Sequence, residues 1–347
     1  LEKSSGSKSG LSVQVVVLAG VFWAVAALLF FLLFSVTVPG QEHPKWYSIG
    51  TSVFEAIAYL AATLLCFRNW RSPQIVSGRN VWLFIGLGML CYFIGNLLFS
   101  LWEIGFGLEP DVSIGDFFFV LTYIFLIAGM SLAVASRRLN LEIWQWGVVA
   151  VIAAVGILLA WLTAQPPATA NADALWLQPA MAQTAPKATP KAAPASPVKP
   201  PEKPAVSPVP GPPAESTAID APSSTSTAPD WAIAVGEALE PLKPILNWYY
   251  VISDILLLII ATTLLLAFWG GRFAQSWRMI AAAAFSLYIA DIWFKYATNS
   301  DPNYQSGSLP EVFWVFSGVL FGIGAALEYD LSSRSRSRSG GRRRSTA

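Results

Sequence analysis

The chain has 347 residues, of which 54% are hydrophobic and only 12% charged, with a formal charge of +1 at neutral pH. Soluble domains average about 25% charged residues, so this composition excludes an ordinary water-soluble enzyme and gives a membrane protein. Both cysteines, Cys66 and Cys91, lie in apolar runs, which argues against a disulfide framework.

Eight segments reach the roughly 20 apolar residues needed to cross a bilayer, at about 11–37, 47–67, 80–103, 115–135, 143–164, 245–269, 277–297 and 311–328. Backbone polar groups must be satisfied inside lipid, so each is predicted to be a helix, the last being the shortest. Segment 11–37 exceeds the roughly 7–15 residues of a signal-peptide core and no small-x-small cleavage site follows, so it is expected to be retained. Lys3 and Lys8 precede the first span; Arg68, Arg71 and Arg79 lie between the second and third. Arg137 and Arg138 follow the fourth, Arg272 and Arg278 flank the start of the seventh, and a cluster from Arg334 to Arg344 follows the eighth. All of these fall on one side, whereas Glu103, Glu109 and Asp111 mark the other. The asymmetry predicts a multi-pass protein of the cell membrane with both termini cytoplasmic.

Residues 165–243 form an Ala/Pro/Ser/Thr tract with too few apolar groups to offset ordering entropy, and are expected to be a disordered extracytosolic linker. The predicted layout is a cytoplasmic segment 1–10, a first four-helix repeat within 11–164, the linker 165–243, and a second repeat over 244–330. That second repeat takes span 143–164 as its first helix, and an Arg/Ser-rich cytoplasmic tail occupies 331–347.

The repeat is visible in the residues. Segments 82–129 and 277–324 align without a gap at an offset of 195, matching Trp82 with Trp277, Asn96 with Asp291, Ser113 with Ser308, Asp116 with Glu311, and Gly129 with Gly324. Glu55 and Asp254 match at an offset of 199, extending the repeat one helix further. The expected fold is therefore all-α, two parallel four-helix repeats about a pseudo-twofold axis.

What the repeat preserves inside apolar segments is mainly polar. A charge at the middle of a membrane helix costs about 2.5–3.5 kcal/mol on insertion scales, so Glu55 and Asp254 are expected to face a protein or water interior. Tyr92, Asn96, Ser100 and Glu103 are spaced by four, four and three, which is one helical face. Tyr288, Asp291, Lys295 and Thr298 form the equivalent face, where the order Asp291-x-x-x-Lys295 also favours an intrahelical ion pair. Ser113-x-x-Asp116 and Ser308-x-x-Glu311 read as capping boxes, and such caps can face a ligand as well. Asp291 and Lys295 echo the acid and lysine of microbial rhodopsins, but Lys295 stands at a span's end and eight duplicated helices do not match that fold.

One histidine, His43, and two cysteines give no metal-pair spacing, so histidine-ligated haem, zinc catalysis and the usual copper sites lack ligands and no cofactor is expected. The arginine tail is expected to meet anionic lipid, at about 1 kcal/mol per residue near the surface, rather than nucleic acid.

Tyr92, Gly95-Asn96, Trp102-Glu103, Pro110, Ser113 and Asp116-Phe117-Phe118 together resemble a motif in bacterial membrane sensory modules that stand ahead of diguanylate cyclase (GGDEF) domains. A fainter echo covers 288–327. The resemblance implies a membrane-embedded sensor; with no cyclase sequence after the eighth span, output is expected through a separate membrane or cytoplasmic signalling partner. The reading that results is a non-enzymatic receptor or sensor for a cation, proton or small polar ligand. Its expected ligand-binding residues are Glu55, Asn96, Trp102, Glu103, Asp116, Asp254, Asp291 and Glu311, with Tyr123, Tyr250 and Trp293 shaping the pocket. An ion-coupled transporter and a structural subunit of a larger membrane complex are the alternatives.

Overall fold

The computed structural model describes residues 12–36, 43–108, 112–135, 141–164, 228–268, 274–301 and 304–344, with side chains to Arg334 in the last helix. Expectations about segment 1–10, most of the linker, Glu109, Asp111, Arg137, Arg138, Arg272 and the arginines past Arg334 lie outside the described residues. The helices are α1 (Val13–Phe34), α2 (Lys45–Arg71), α3 (Arg79–Ser100), α4 (Ile114–Ala135), α5 (Ile143–Ala164), α6 (Asp230–Leu239), α7 (Lys243–Ala267), α8 (Ala274–Ser300) and α9 (Val312–Arg344). A π-helical turn, Leu101–Gly105, continues α3. The fold is all-α, and among the described residues eight helical stretches are long and apolar enough to cross a membrane.

Six helices form a ring: α2, α3, α4, α7, α8 and α9 each pack on the next, and α9 returns to α2. Outside it, α1 lies against α9 and α2, and α5 against α7 and α8. These outer helices present apolar side chains on their outward faces, such as Leu18, Phe22 and Leu33 on α1 and Val151 and Trp161 on α5, which suits contact with lipid. Gly20 packs on Ile323, whereas Phe31 packs edge-on to Tyr47, which is bonded to Gly307 just ahead of α9, so α1 runs antiparallel to α9.

At the end where α2 and α9 finish and α3 and α8 begin, the ring is solid. Trp82 and Trp277 are fully buried with ring centroids 6.2 Å apart, and Phe268 stacks on Trp277 at 5.0 Å. Ile85, Met89, Leu126, Met130, Leu264 and Ile280 fill the space around them. Polar clamps finish this end: Ser77 donates its N–H and Oγ–H to Glu328 at 3.3 and 2.7 Å, Asn69 Nδ2 donates to the Ala325 carbonyl at 2.8 Å, and Arg68 lies over the Tyr329 ring. Arg68, Arg71, Arg79, Arg278 and Arg334 all belong to it by helix position.

Two segments differ from expectation. The last span is not short: α9 continues through Glu328, Tyr329 and Asp330 to Arg344, with Ser77 donating twice to Oε1 of the buried Glu328 and Asp330 pairing with Arg334 at 2.8 Å one turn on. The final part of the predicted linker is helical, with α6 and a tight turn at Glu240–Leu242 leading straight into α7. Pro229 and Asp230 begin α6, and Trp231 packs edge-on to Trp102 and Phe106 at 5.6 Å, which supplies the contact that the tract's composition lacks.

Small residues let the ring close. A Cβ on Gly115 would stand 2.8 Å from the Gly95 carbonyl oxygen, so α3 and α4 meet backbone to backbone. Gly115→Ala is therefore expected to destabilise the protein by about 1–3 kcal/mol through overpacking. Gly147→Ala, which meets nothing within 4 Å, should leave stability unchanged or raise it. Thermal melting of the two variants in the same detergent checks the contrast.

A candidate binding cavity lined by carboxyls

The ring is open at its other end, where α2, α4, α7 and α9 begin. There it encloses a cavity of about 340 Å3. Glu55, Asn96, Glu103, Asp116, Asp254, Asp291 and Glu311 all line it. The two polar stripes, Tyr92-Asn96-Ser100-Glu103 and Tyr288-Asp291-Lys295-Thr298, both face inward, as the helical spacing requires.

Five of the carboxyls, Glu55, Asp116, Asp254, Asp291 and Glu311, are held by uncharged donors. Glu55 accepts from Tyr92 OH at 2.6 Å and from Asn96 Nδ2 at 2.9 Å. Tyr92 is braced by parallel stacking on Tyr59 at 3.7 Å. Asp116 accepts from Tyr250 OH at 2.6 Å and from the Ser113 N–H at 2.7 Å. Glu311 accepts from the Gly307 N–H at 2.7 Å, from Ser308 Oγ at 3.1 Å and from Tyr304 OH. Both capping serines thus serve their acids, and both acids still reach the cavity.

Gly307 also receives Tyr47 OH at its carbonyl at 2.5 Å, which ties the loop before α9 to the start of α2. Its φ of +116° and the 2.7 Å gap from a Cβ there to Tyr47 leave room only for glycine. On the same loop, burial and then the Glu311 carboxylate push the Tyr304 phenol above its ordinary pKa, so it stays a donor.

Asp254 of α7 and Asp291 of α8 share one donor. Tyr123 OH, from α4, lies 2.7 Å from Asp254 Oδ1 and 2.5 Å from Asp291 Oδ2, while Trp314 Nε1 donates to Asp291 Oδ1 at 2.7 Å. A phenol has one proton to give. If it goes to one aspartate, the other contact needs a proton on a carboxyl, so the Tyr123–Asp254–Asp291 cluster is built to hold an extra proton.

The intrahelical pair suggested by Asp291 and Lys295 does not form. Lys295 Nζ donates instead to the Asn247 carbonyl on α7 at 3.3 Å, because Tyr123 and Trp314 already occupy the aspartate. Among the described residues, none of Glu55, Asp116, Asp254, Asp291 and Glu311 makes an ion pair with lysine or arginine.

Trp102 does not line the cavity. At 3.6 residues per turn Trp102 falls about 120° away from the face that carries Asn96 and Glu103, and it packs against Trp231 and Phe106 while Glu103 faces inward. Trp293 stands one layer behind, donating to Ser308 at 2.6 Å. Tyr123 and Tyr250 do line it. Sequence reasoning missed Trp314, although it matches Phe119 at the same offset of 195 and both line the cavity. Tyr304 and Asp301 lie in or beside a loop with no such signal.

No protein-family model, no curated protein and no solved structure matches the chain. The site's meaning therefore rests on its own chemistry.

Removing the shared phenol is the direct check on the cluster. Tyr123→Phe should cost about 1–2 kcal/mol of stability, since one buried carboxyl loses its donor and the other loses the oxygen it donates to. The loss should shrink on the background of Asp254→Asn with Asp291→Asn, as a double-mutant cycle by thermal melting would reveal.

Proposed function

We propose that this chain is a non-enzymatic membrane receptor or sensor module. It consists of two four-helix repeats about a pseudo-twofold axis, with both ends cytoplasmic and a ligand cavity on the extracytosolic side. The observation that carries the reading is the set of five carboxyls, contributed by both halves, that surround one cavity and are met only by neutral donors. Acidic residues outnumber the two lysines in its walls, and a cation, a proton or a small polar ligand with donor groups would complement that excess.

Several features support the repeat. Gly129 packs against Ile85 and Gly324 against Ile280, the same contact at the same offset of 195. Trp82 and Trp277, matched residues, meet each other. Exchanging α2, α3 and α4 with α7, α8 and α9 also leaves the neighbour order of the ring unchanged. The arginines at the closed end favour that end as cytoplasmic. The resemblance of residues 92–118 to sensory modules ahead of GGDEF domains fits the same assignment.

In this reading a ligand drawn between the halves changes their packing, and α9 and the 72–78 loop clamped to it carry the change to an output element at the basic end, on this chain or on a partner. A transporter of the broken-helix kind has less support, because α3 and α9 run unbroken through their glycines, which serve as packing contacts.

A thermal-shift series on purified full-length protein across pH and simple cations, repeated on Glu55→Gln and Asp254→Asn, tests the assignment. A ligand at about a hundred times its Kd adds about 2.7 kcal/mol, enough to move the melting midpoint measurably. The wild type should respond to ligand or pH and the variants should lose part of that response. Identical responses in all three proteins would overturn the receptor reading.

A further inference from the structure

We infer that the cavity takes an organic cation with two ammonium groups, one held at Glu55 and Asn96 and the other at Asp254 and Asp291. The inference rests on the receptor reading above and specifies its ligand.

The charge balance of the walls is the first ground. Seven acidic residues line the cavity against two lysines, Lys243 and Lys295. Size is the second. A space of about 340 Å3 falls in the range of small-molecule sites, roughly 300–1,000 Å3, and holds far more than one ion.

The arrangement of the acids is the third. A hard divalent metal draws six to eight oxygens to about 2.3–2.6 Å. Among the described residues no three His, Cys, Asp or Glu side chains gather closely enough to hold one. The carboxyls instead form separate centres on opposite sides of the ring: Glu55 and Asn96 between α2 and α3, and Asp254 and Asp291 between α7 and α8. The two centres are chemically alike, each a helix-borne acid beside a matched polar residue of the neighbouring helix. A molecule with a cationic group at each end is the simplest complement to that duplication.

The fourth ground is what the Glu55 and Asn96 centre leaves unfilled. Glu55 Oε1 and Oε2 each accept a single hydrogen bond, so each keeps a lone pair. Asn96 is 6% exposed, lines the cavity, and its Oδ1 has no donor. An ammonium brings three donors to this corner and satisfies both residues. Between the centres the walls carry aromatic side chains, Phe99, Phe119, Tyr250, Phe294 and Trp314, which suit methylene groups and the faces of cations alike.

Calorimetric titration of the full-length protein in detergent at fixed ionic strength tests this with 1,4-diaminobutane, n-butylamine and calcium chloride as probes. The diamine should bind at least about tenfold more tightly than the monoamine, and calcium should not compete with it. Glu55→Gln and Asp254→Asn should each bring the diamine down to the monoamine's affinity.

A chain-length series from 1,2-diaminoethane to 1,6-diaminohexane on the wild type needs no variant and should show a single optimum length. Equal affinity for mono- and diamines, no length optimum, or displacement by calcium would overturn the two-ammonium assignment while leaving a receptor in place. Silence toward every cation, together with a pH-independent melting midpoint, would remove the receptor reading itself.

Discussion

A carboxyl group carried on a membrane helix must find hydrogen-bond donors, and this fold is arranged around meeting that need without cations. Tyr92, Asn96, Tyr123, Tyr250, Tyr304 and Trp314 each point a neutral donor at an acid from a different helix or loop. Because the acids and their donors sit on different elements, each hydrogen bond is also a cross-link of the ring. Tyr123 makes the most consequential of these, since one phenol on α4 fixes α7 and α8 together. The neutral character of the donors leaves the cavity with a negative bias that a bundle stabilised by salt bridges would lack.

The same logic organises the mouth. Gly307 faces two ways, giving its N–H to Glu311 and its carbonyl to Tyr47. A single backbone unit therefore couples the acid at the head of α9 to the first turn of α2. The closed end uses a parallel device, with Ser77 in the α2–α3 loop donating twice to Glu328 Oε1 far along α9. Between these points α9 runs against α2 for the full height of the ring, with Gly318 beside Ala58. Like α2, α3 and α8, it touches both the carboxyl-lined end and the arginine-bearing end.

Much of this was legible in the residues because helices impose a period. Spacings of four, four and three bring Tyr92, Asn96, Ser100 and Glu103 to one face whatever the neighbours are, and the apolar lengths locate the spans within a few residues. Failures came where a distant partner overrode a local rule. The spacing of Asp291 and Lys295 favours their pairing, yet donors from α4 and α9 take the aspartate and a carbonyl of α7 takes the lysine. Trp102 turns away by the same period that brings Glu103 inward, so its outward place was legible in the residues. The helix at Asp230–Leu239 follows a proline-rich tract whose composition hides it, and its stability depends on an aromatic platform more than a hundred residues earlier in the chain. The length of α9 was underestimated because an apolar count stops at Glu328, while the fold provides that glutamate with a partner.

The two matched indoles at the closed end carry a consequence of their own. Trp82 and Trp277 have no exposed surface and are hemmed in by Phe268, Ile85 and Ile280, so they act as a stopper across the middle of the barrel of helices. A path through this layer would require both rings to move, together with the Phe268 ring stacked on Trp277. For the receptor proposed above, occupancy of the chamber would reach the far face as movement of the helices and not as a particle passing between them.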